Sequence, residues 1–488
     1  MDSIDGRTVL ERVRAIFKKP DAEPEYAPIS SSSSVLEEDV RRLAPTEHDN
    51  SQPFSWFEYS IFMLLGVAML WAWYVAPVFR NPWGYTGADL FNRNMFLAAA
   101  PYFQSRFQDN ENILQHFQPA ITSVGTVTNL SSMLLLGHLQ SNASYPKRIL
   151  SSLLLNTIVF ALLAISTLYF RDISASGYLA FTLFMVFATA CATGLLQNGT
   201  FAFVSSFGRP EYIQAIMTGQ AVAGVLPATA QILSVLVVPP PDNWSDVNAE
   251  TADVKESSRS AFIYFLCATA ISVLTLLFVL PLLRKHDRIL LNRAASLAGS
   301  GDDSDEQAKH QTVGMVRLYK KLHWHAAGVF LCFAVTMFFP VFTQKVLSVV
   351  PADEAPRLLQ PEAFIPLGFL VWNIGDLSGR LLTILPSLRP RPIPLFVLSI
   401  LRIAFVPLYL LCNLEGRGAK VNSDLFYLII VQGGFGLSNG WLGSSCMMTA
   451  NSYVNEEERE ASGSFMATNL VAGLFAGSVM SFAVAGVS

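Results

Sequence analysis

Apolar runs of about 20 residues, almost free of charge, recur from Trp56 to the end of the chain, and few folds can absorb them. Each run has the length a helix needs to cross a bilayer. Charged residues make up 14% of the 488 residues, against about 25% in soluble chains, too few to coat three soluble domains. Eleven spans can be placed, at about 56–79, 115–139, 148–170, 177–205, 212–238, 260–283, 324–347, 363–386, 392–412, 424–449 and 461–486. The expected fold class is an all-α polytopic membrane protein with eleven transmembrane helices in a 6+5 two-bundle arrangement. The expected domains are a disordered cytoplasmic tail over 1–55, an N-terminal six-helix bundle over 56–283, a cytoplasmic linker over 284–322 and a C-terminal five-helix bundle over 323–488.

Several function classes fall away. The net charge of −4 leaves no basic surface for nucleic acid. The five cysteines sit inside apolar stretches without metal-ligand or disulfide spacing, so neither a metal site nor a disulfide framework is expected. No phosphate loop, HExxH or GxSxG pattern is present, and the chain is not expected to be an enzyme. The polar tail lacks a signal-peptide pattern, although Tyr26-Ala-Pro-Ile29 resembles a tyrosine-based sorting signal. Lys147, Arg148, Arg209, the linker, Arg389, Arg391 and Arg459 fall on the side of the tail and set it modestly as cytoplasmic. On the opposite side Asn243 opens a glycosylation sequon in a loop.

The residues that bear on function are those that do not belong in lipid. Within Phe369-Leu-Val-Trp-Asn373-Ile-Gly-Asp376-Leu-Ser-Gly-Arg380, an acid and a base four apart share one helical face, with Asn373 one turn earlier. Each charge costs about 2.5–3.5 kcal/mol near the bilayer centre, so this face pairs internally, lines a polar path, or both. Arg402 lies midway along its span, where it can snorkel towards Arg389 and Arg391 or pair structurally. Gln197, Asn198, Gln220 and Gln231 interrupt other spans, where buried amides either join helices or face a cavity.

Four motifs in order carry a family resemblance. Besides the Asn373–Arg380 stretch, these are Ile216-Met-Thr-Gly-Gln-Ala-Val-Ala-Gly224, the Arg402–Asn413 run with Pro407, and Ser438-Asn-Gly440-Trp-Leu-Gly-Ser-Ser-Cys446-Met447. From about residue 56 to 486 the chain resembles an equilibrative nucleoside transporter. That resemblance implies an eleven-helix fold related to the major-facilitator plan, with substrate held between two bundles. It implies that Asp376 and Arg380 hydrogen-bond ribose hydroxyls beside Asn373, that Gln197 reads the nucleobase edge, and that Trp73 and Leu70 line its apolar side. Phe339, Phe369 and Leu474 match further cavity or gate positions. The chain departs from the family in having Ala72-Trp73-Tyr74 where many members have Pro-Trp-Asn, and Trp441 where tyrosine is commoner.

The expected function is facilitative transport of nucleosides such as uridine and adenosine, and of nucleobases, by alternating access. Proton-coupled symport is the alternative, with Asp376 as the acid well inside a span. No cofactor is implied. The expected setting is a vacuolar, lysosomal or other endomembrane bilayer, and the expected state is a monomer.

Overall fold

The computed structural model describes residues 54–74, 100–108, 110–139, 144–170, 173–237, 249–298, 314–351, 354–385 and 391–485. Nearly every long apolar run becomes a helix, because in lipid only a helix or a closed barrel satisfies its own backbone groups. In chain order these are α1 (Trp56–Tyr74), a short α2 (Ala100–Phe107), α3 (Glu111–His138), α4 (Tyr145–Tyr169), α5 (Ala175–Ser206), α6 (Pro210–Val237) and α7 (Ala249–Ala298). The second half holds α8 (Met315–Thr336), α9 (Phe338–Thr343), α10 (Pro361–Leu382), α11 (Pro392–Leu401), α12 (Phe405–Tyr409), α13 (Gly434–Ala450) and α14 (Arg459–Ala485). Seven helical segments among the described residues are long and apolar enough to cross a membrane. α10 is not one of them, because Asn373, Asp376 and Arg380 interrupt its apolar run.

Two features differ from expectation. Helix α7 continues to Ala298 and α8 begins at Met315, so helix occupies much of the expected 284–322 linker. Apolar runs measure what lipid covers, and a helix need not stop at the lipid surface. Three expected spans are also broken rods. α8 gives way to α9 at Met337, where Pro340 offers no N–H to the Thr336 carbonyl and its ring crowds it. α11 and α12 are separated by a 3-10 turn, Arg402–Ala404, placed by Pro407 in the same way. A π-helix, Phe426–Gly433, leads into α13.

Helices of the first half pack on those of the second along two seams, α6 on α10 and α5 on α14. Small residues let backbones touch where no hydrophobic effect draws helices together. On α13, a methyl group at Gly440 would overlap the carbonyl oxygen of Asp376 on α10. On α6, one at Gly219 would overlap the Met63 carbonyl of α1. The outward faces remain apolar, as on α4, where Leu154, Ile158, Leu162 and Ile165 are exposed at helical spacing and suited to lipid.

The apolar core is not uniform along the molecule. At the end carrying the Phe207–Arg209 turn and the start of α8, called here the linker end, one core spans both halves. It joins Phe62, Leu65, Phe203 and Ile216 to Leu442, Met447, Phe465 and Leu470. Further away it divides into a cluster of the first half, around Phe103, Phe107, Tyr178 and Phe265. Its counterpart in the second half surrounds Phe364, Trp372, Tyr409 and Phe435. Ion pairs collar the linker end. Buried Glu58 accepts from Lys285 at 2.7 Å and from the Tyr212 hydroxyl at 2.7 Å, and Glu458 accepts from Arg317 at 2.8 Å and Lys321 at 2.6 Å.

The helix contacts predict that Gly440→Val lowers thermal stability in detergent by about 1–3 kcal/mol, the usual cost of overpacking. Gly314→Ala, where nothing lies within 4 Å of the added carbon, leaves the melting temperature unchanged.

Candidate functional site

Helix α10 starts with Pro361 at its first position and carries its polar side chains along one stripe in its second half. Asp376 and Arg380 are each 3% exposed. Four residues apart, they meet directly, with Arg380 Nε donating to Asp376 Oδ2 at 2.8 Å. The other Asp376 oxygen accepts from Asn439 Nδ2 on α13 at 2.7 Å, an approach that the Gly440 contact makes possible. Arg380 also reaches across the α6–α10 seam. Its Nη1 donates to the Met217 carbonyl at 2.6 Å and to Gln220 Oε1 at 3.2 Å. Its Nη2 donates to no protein group among the described residues. On the same seam, Gln214 Nε2 lies 3.4 Å from the Arg380 carbonyl.

Behind Asp376 the hydrogen bonding continues. Thr336 Oγ1, at the end of α8, lies 2.7 Å from Asn439 Oδ1. Arg402 Nη2 donates to Thr336 Oγ1 at 3.3 Å. Arg402 is 2% exposed, with Nε on Ser438 Oγ at 3.0 Å and Nη1 on the Cys332 carbonyl at 2.5 Å. Its guanidinium sits over the Phe435 ring, 4.7 Å from the centroid. Of the two readings of Arg402, snorkelling to the interface or pairing structurally, its contacts are those of the second. Acceptors from α8 and α13 converge on it inside the protein, which satisfies its donors without water.

The remaining expected residues distribute unevenly. Phe339 stacks on Trp372 at 4.1 Å and meets Phe369 edge-on at 5.2 Å, an aromatic cluster one to two turns from Asp376. Asn373 shares the face but turns its amide back onto its own helix, donating to the Phe369 carbonyl at 2.8 Å. Gln197 is buried on α5, with Asn129 Nδ2 3.5 Å away. Its neighbour Asn198 crosses the second seam, donating to Ser464 Oγ on α14 at 2.6 Å while accepting from Arg148. Leu70 on α1 and Leu474 on α14 are partly buried, and no described contact joins Gln197, Leu70 or Leu474 to Asp376. The Trp73 side chain, Asn243 and the Tyr26 motif lie outside the described residues.

Sequence reading did not assign roles to Asn439, Thr336 or Gln214. Asn439 stood in plain view within the Ser438–Met447 motif, but only the fold shows which helix its amide faces. Gln220 was identified as an intramembrane amide, and its partner is now Arg380.

Comparison with known proteins gives a consistent picture. A family model described as nucleoside transporter matches residues 183–300 and 282–485. Nucleoside transporter FUN26 of Saccharomyces cerevisiae is 26% identical, over 87% of this chain and 83% of its own length. Equilibrative nucleoside transporter 1 of Homo sapiens is 26% identical, over 86% of this chain and 95% of its own. The human equilibrative nucleoside transporter 2 is 29% identical, over 80% and 92% respectively. Among solved structures, the major facilitator superfamily transporter FucP in its outward conformation superposes with a TM-score of 0.52 at 14% identity. The match covers 90% of this chain and 92% of that one, and it supports the fold alone.

The buried pair predicts strong non-additivity. Arg380→Met strands a carboxylate and costs about 3–5 kcal/mol in thermal unfolding. Combining it with Asp376→Asn restores part of that loss, giving a coupling well above zero in a double-mutant cycle.

Proposed function

Because the chain belongs to the nucleoside transporter family, we infer that it carries nucleosides across a bilayer by facilitated transport, with no catalytic step. It is a multi-pass integral membrane protein and a transporter rather than an enzyme. The observation that carries the reading is the Asp376–Arg380 pair, buried on a helix that meets the other half of the molecule. Ribose hydroxyls both donate and accept. Asp376 offers acceptors to them, and Arg380 Nη2 offers a donor that no described protein group uses.

The same pair supports a route from binding to movement. Arg380 ties α10 to α6 through the Met217 carbonyl and Gln220. A ribose that draws the guanidinium towards itself competes with those two bonds and loosens the seam. The described hydrogen bonds across the two seams fall towards the linker end, where the core is also continuous. Away from that end each half keeps its own cluster. A closed linker end and separate cores beyond it suit one stage of an alternating-access cycle, in which two bundles of six and five helices rock about the site.

Within this reading Phe339 and Phe369 flank the substrate with aromatic surface, Gln197 reads the base edge, and Trp73, Leu70 and Leu474 complete the apolar walls. Asn373 acts as a neighbour of Asp376 whose amide is turned back onto its own helix rather than as a free ligand in this state. Uridine and adenosine are the proposed substrates, with nucleobases as weaker ones because they lack the ribose that Asp376 and Arg380 engage. An endomembrane location, a monomeric state and glycosylation at Asn243 complete the proposal.

Reconstituted protein is expected to equilibrate labelled uridine without concentrating it, whether or not an inward proton gradient is imposed. Asp376→Asn or Arg380→Lys lowers uptake at least tenfold at equal protein content, about 1.4 kcal/mol or more. Accumulation driven by the proton gradient would instead establish symport, and full uptake by both variants would remove the pair from the site.

A further inference from the structure

Arg402 is a buried cation that makes no ion pair of its own among the described residues. Its link to the nearest acid in the hydrogen-bond network runs through two side chains. Arg402 Nη2 donates to Thr336 Oγ1 at 3.3 Å. The Thr336 hydroxyl has one proton and two acceptors in reach, Asn439 Oδ1 at 2.7 Å and the Cys332 carbonyl at 2.8 Å. That carbonyl already accepts from Arg402 Nη1 at 2.5 Å, which favours Asn439 for the hydroxyl proton. Cys332 Sγ adds a second contact to Asn439 Oδ1, at 3.4 Å. An amide whose oxygen is held this way presents its nitrogen in the opposite direction, and there Asn439 Nδ2 meets Asp376 Oδ1 at 2.7 Å.

We propose that Arg402 is a positioning residue for the Asp376 carboxylate that binds substrate. Through Thr336 it fixes the orientation of the Asn439 amide, and so fixes which lone pairs of Asp376 are left for a ribose hydroxyl. The chain of donors runs one way, from guanidinium to hydroxyl to amide to carboxylate. With the amide reversed, its oxygen would face Asp376 Oδ1, two acceptors would oppose each other, and the carboxylate would rotate away from Arg380 Nε. Two backbone breaks assemble the relay. Pro340 ends α8 at Thr336, and Pro407 places the 3-10 turn that begins with Arg402. Arg402 touches no substrate in this scheme. The inference rests on the reading of Asp376 as the ribose-binding group.

The test is uptake into proteoliposomes of uridine and 3′-deoxyuridine by wild type, Thr336→Val, Arg402→Lys and Asp376→Asn, with KM and Vmax measured for each. Thr336→Val keeps the side-chain shape and removes only the relay hydroxyl, so it reports on the proposal even where Arg402→Lys fails to fold. The expected result is a rise in the uridine KM of about 2–10-fold for Thr336→Val, the effect of one misdirected hydrogen bond, and a smaller or absent change for 3′-deoxyuridine. A lower Vmax for both compounds with their KM ratio unchanged is the mark of a purely structural role and overturns the proposal. If Asp376→Asn erases the preference for uridine while Thr336→Val and Arg402→Lys preserve it, the relay is wrong and the Asp376 reading stands. If Asp376→Asn itself preserves the preference, that reading falls and the relay falls with it.

Discussion

A carboxylate and a guanidinium held inside an apolar bundle set the terms for everything around them. Asp376 and Arg380 are each 3% exposed, so most of their lone pairs and N–H groups must be met by protein or by cargo. Protein meets most of them, through each other, Asn439, Gln220 and the Met217 carbonyl. These partners come from α13 and α6, both packed against α10. The pair is therefore both a polar site and one of the points where the two halves of the chain are joined by buried hydrogen bonds. A transporter needs both properties in one place, because whatever satisfies the site must also decide whether the seam stays shut.

Close backbone contact makes that geometry available. Asn439 is short, and it reaches Asp376 because its own helix lies against α10 at Gly440. The same economy of side-chain volume lets α6 lie against α1 at Gly219. Close contacts of this kind occur within a half, at Gly440 and Gly219, and also between halves, where Gly463 of α14 lies against the Phe201 carbonyl of α5. The polar bonds that cross between halves are fewer and exchangeable, as with Arg380 on α6 and Asn198 on Ser464.

Much of this was legible in the chain. Apolar runs placed the long helices to within a few residues at many ends, since lipid imposes both length and hydropathy. The spacing of Asp376 and Arg380 was enough to predict a shared face, and the ion pair is found on it. Partners from other helices were not legible: Asn439 lies 63 positions from Asp376 and Gln220 160 from Arg380, separations on which periodicity is silent. Arg402 shows why a single residue type misleads. A long cationic side chain in a membrane helix can escape to the interface, and only the converging acceptors of Cys332, Thr336 and Ser438 decide that this one stays inside. The broken rods were hidden too, although Pro340 and Pro407 mark two of them once the helices are known.

The chemistry of the seam bears on speed as well as on recognition. Had α6 offered Arg380 a carboxylate, separating the halves would have stranded a buried ion pair, at about 3–5 kcal/mol. It offers instead a backbone carbonyl and an amide, and the other seam joins an amide to a hydroxyl. Hydrogen bonds of this kind contribute about 0.5–1.5 kcal/mol each, or about 1.5–3 where one partner is charged. Differences of that size shift a two-state equilibrium by factors of ten to a hundred, not by the many orders that would lock it. A ribose that supplies equivalent bonds to Arg380 can offset most of what the seam loses on opening. Neutral acceptors opposite Arg380 thus leave this seam joined by bonds of modest strength.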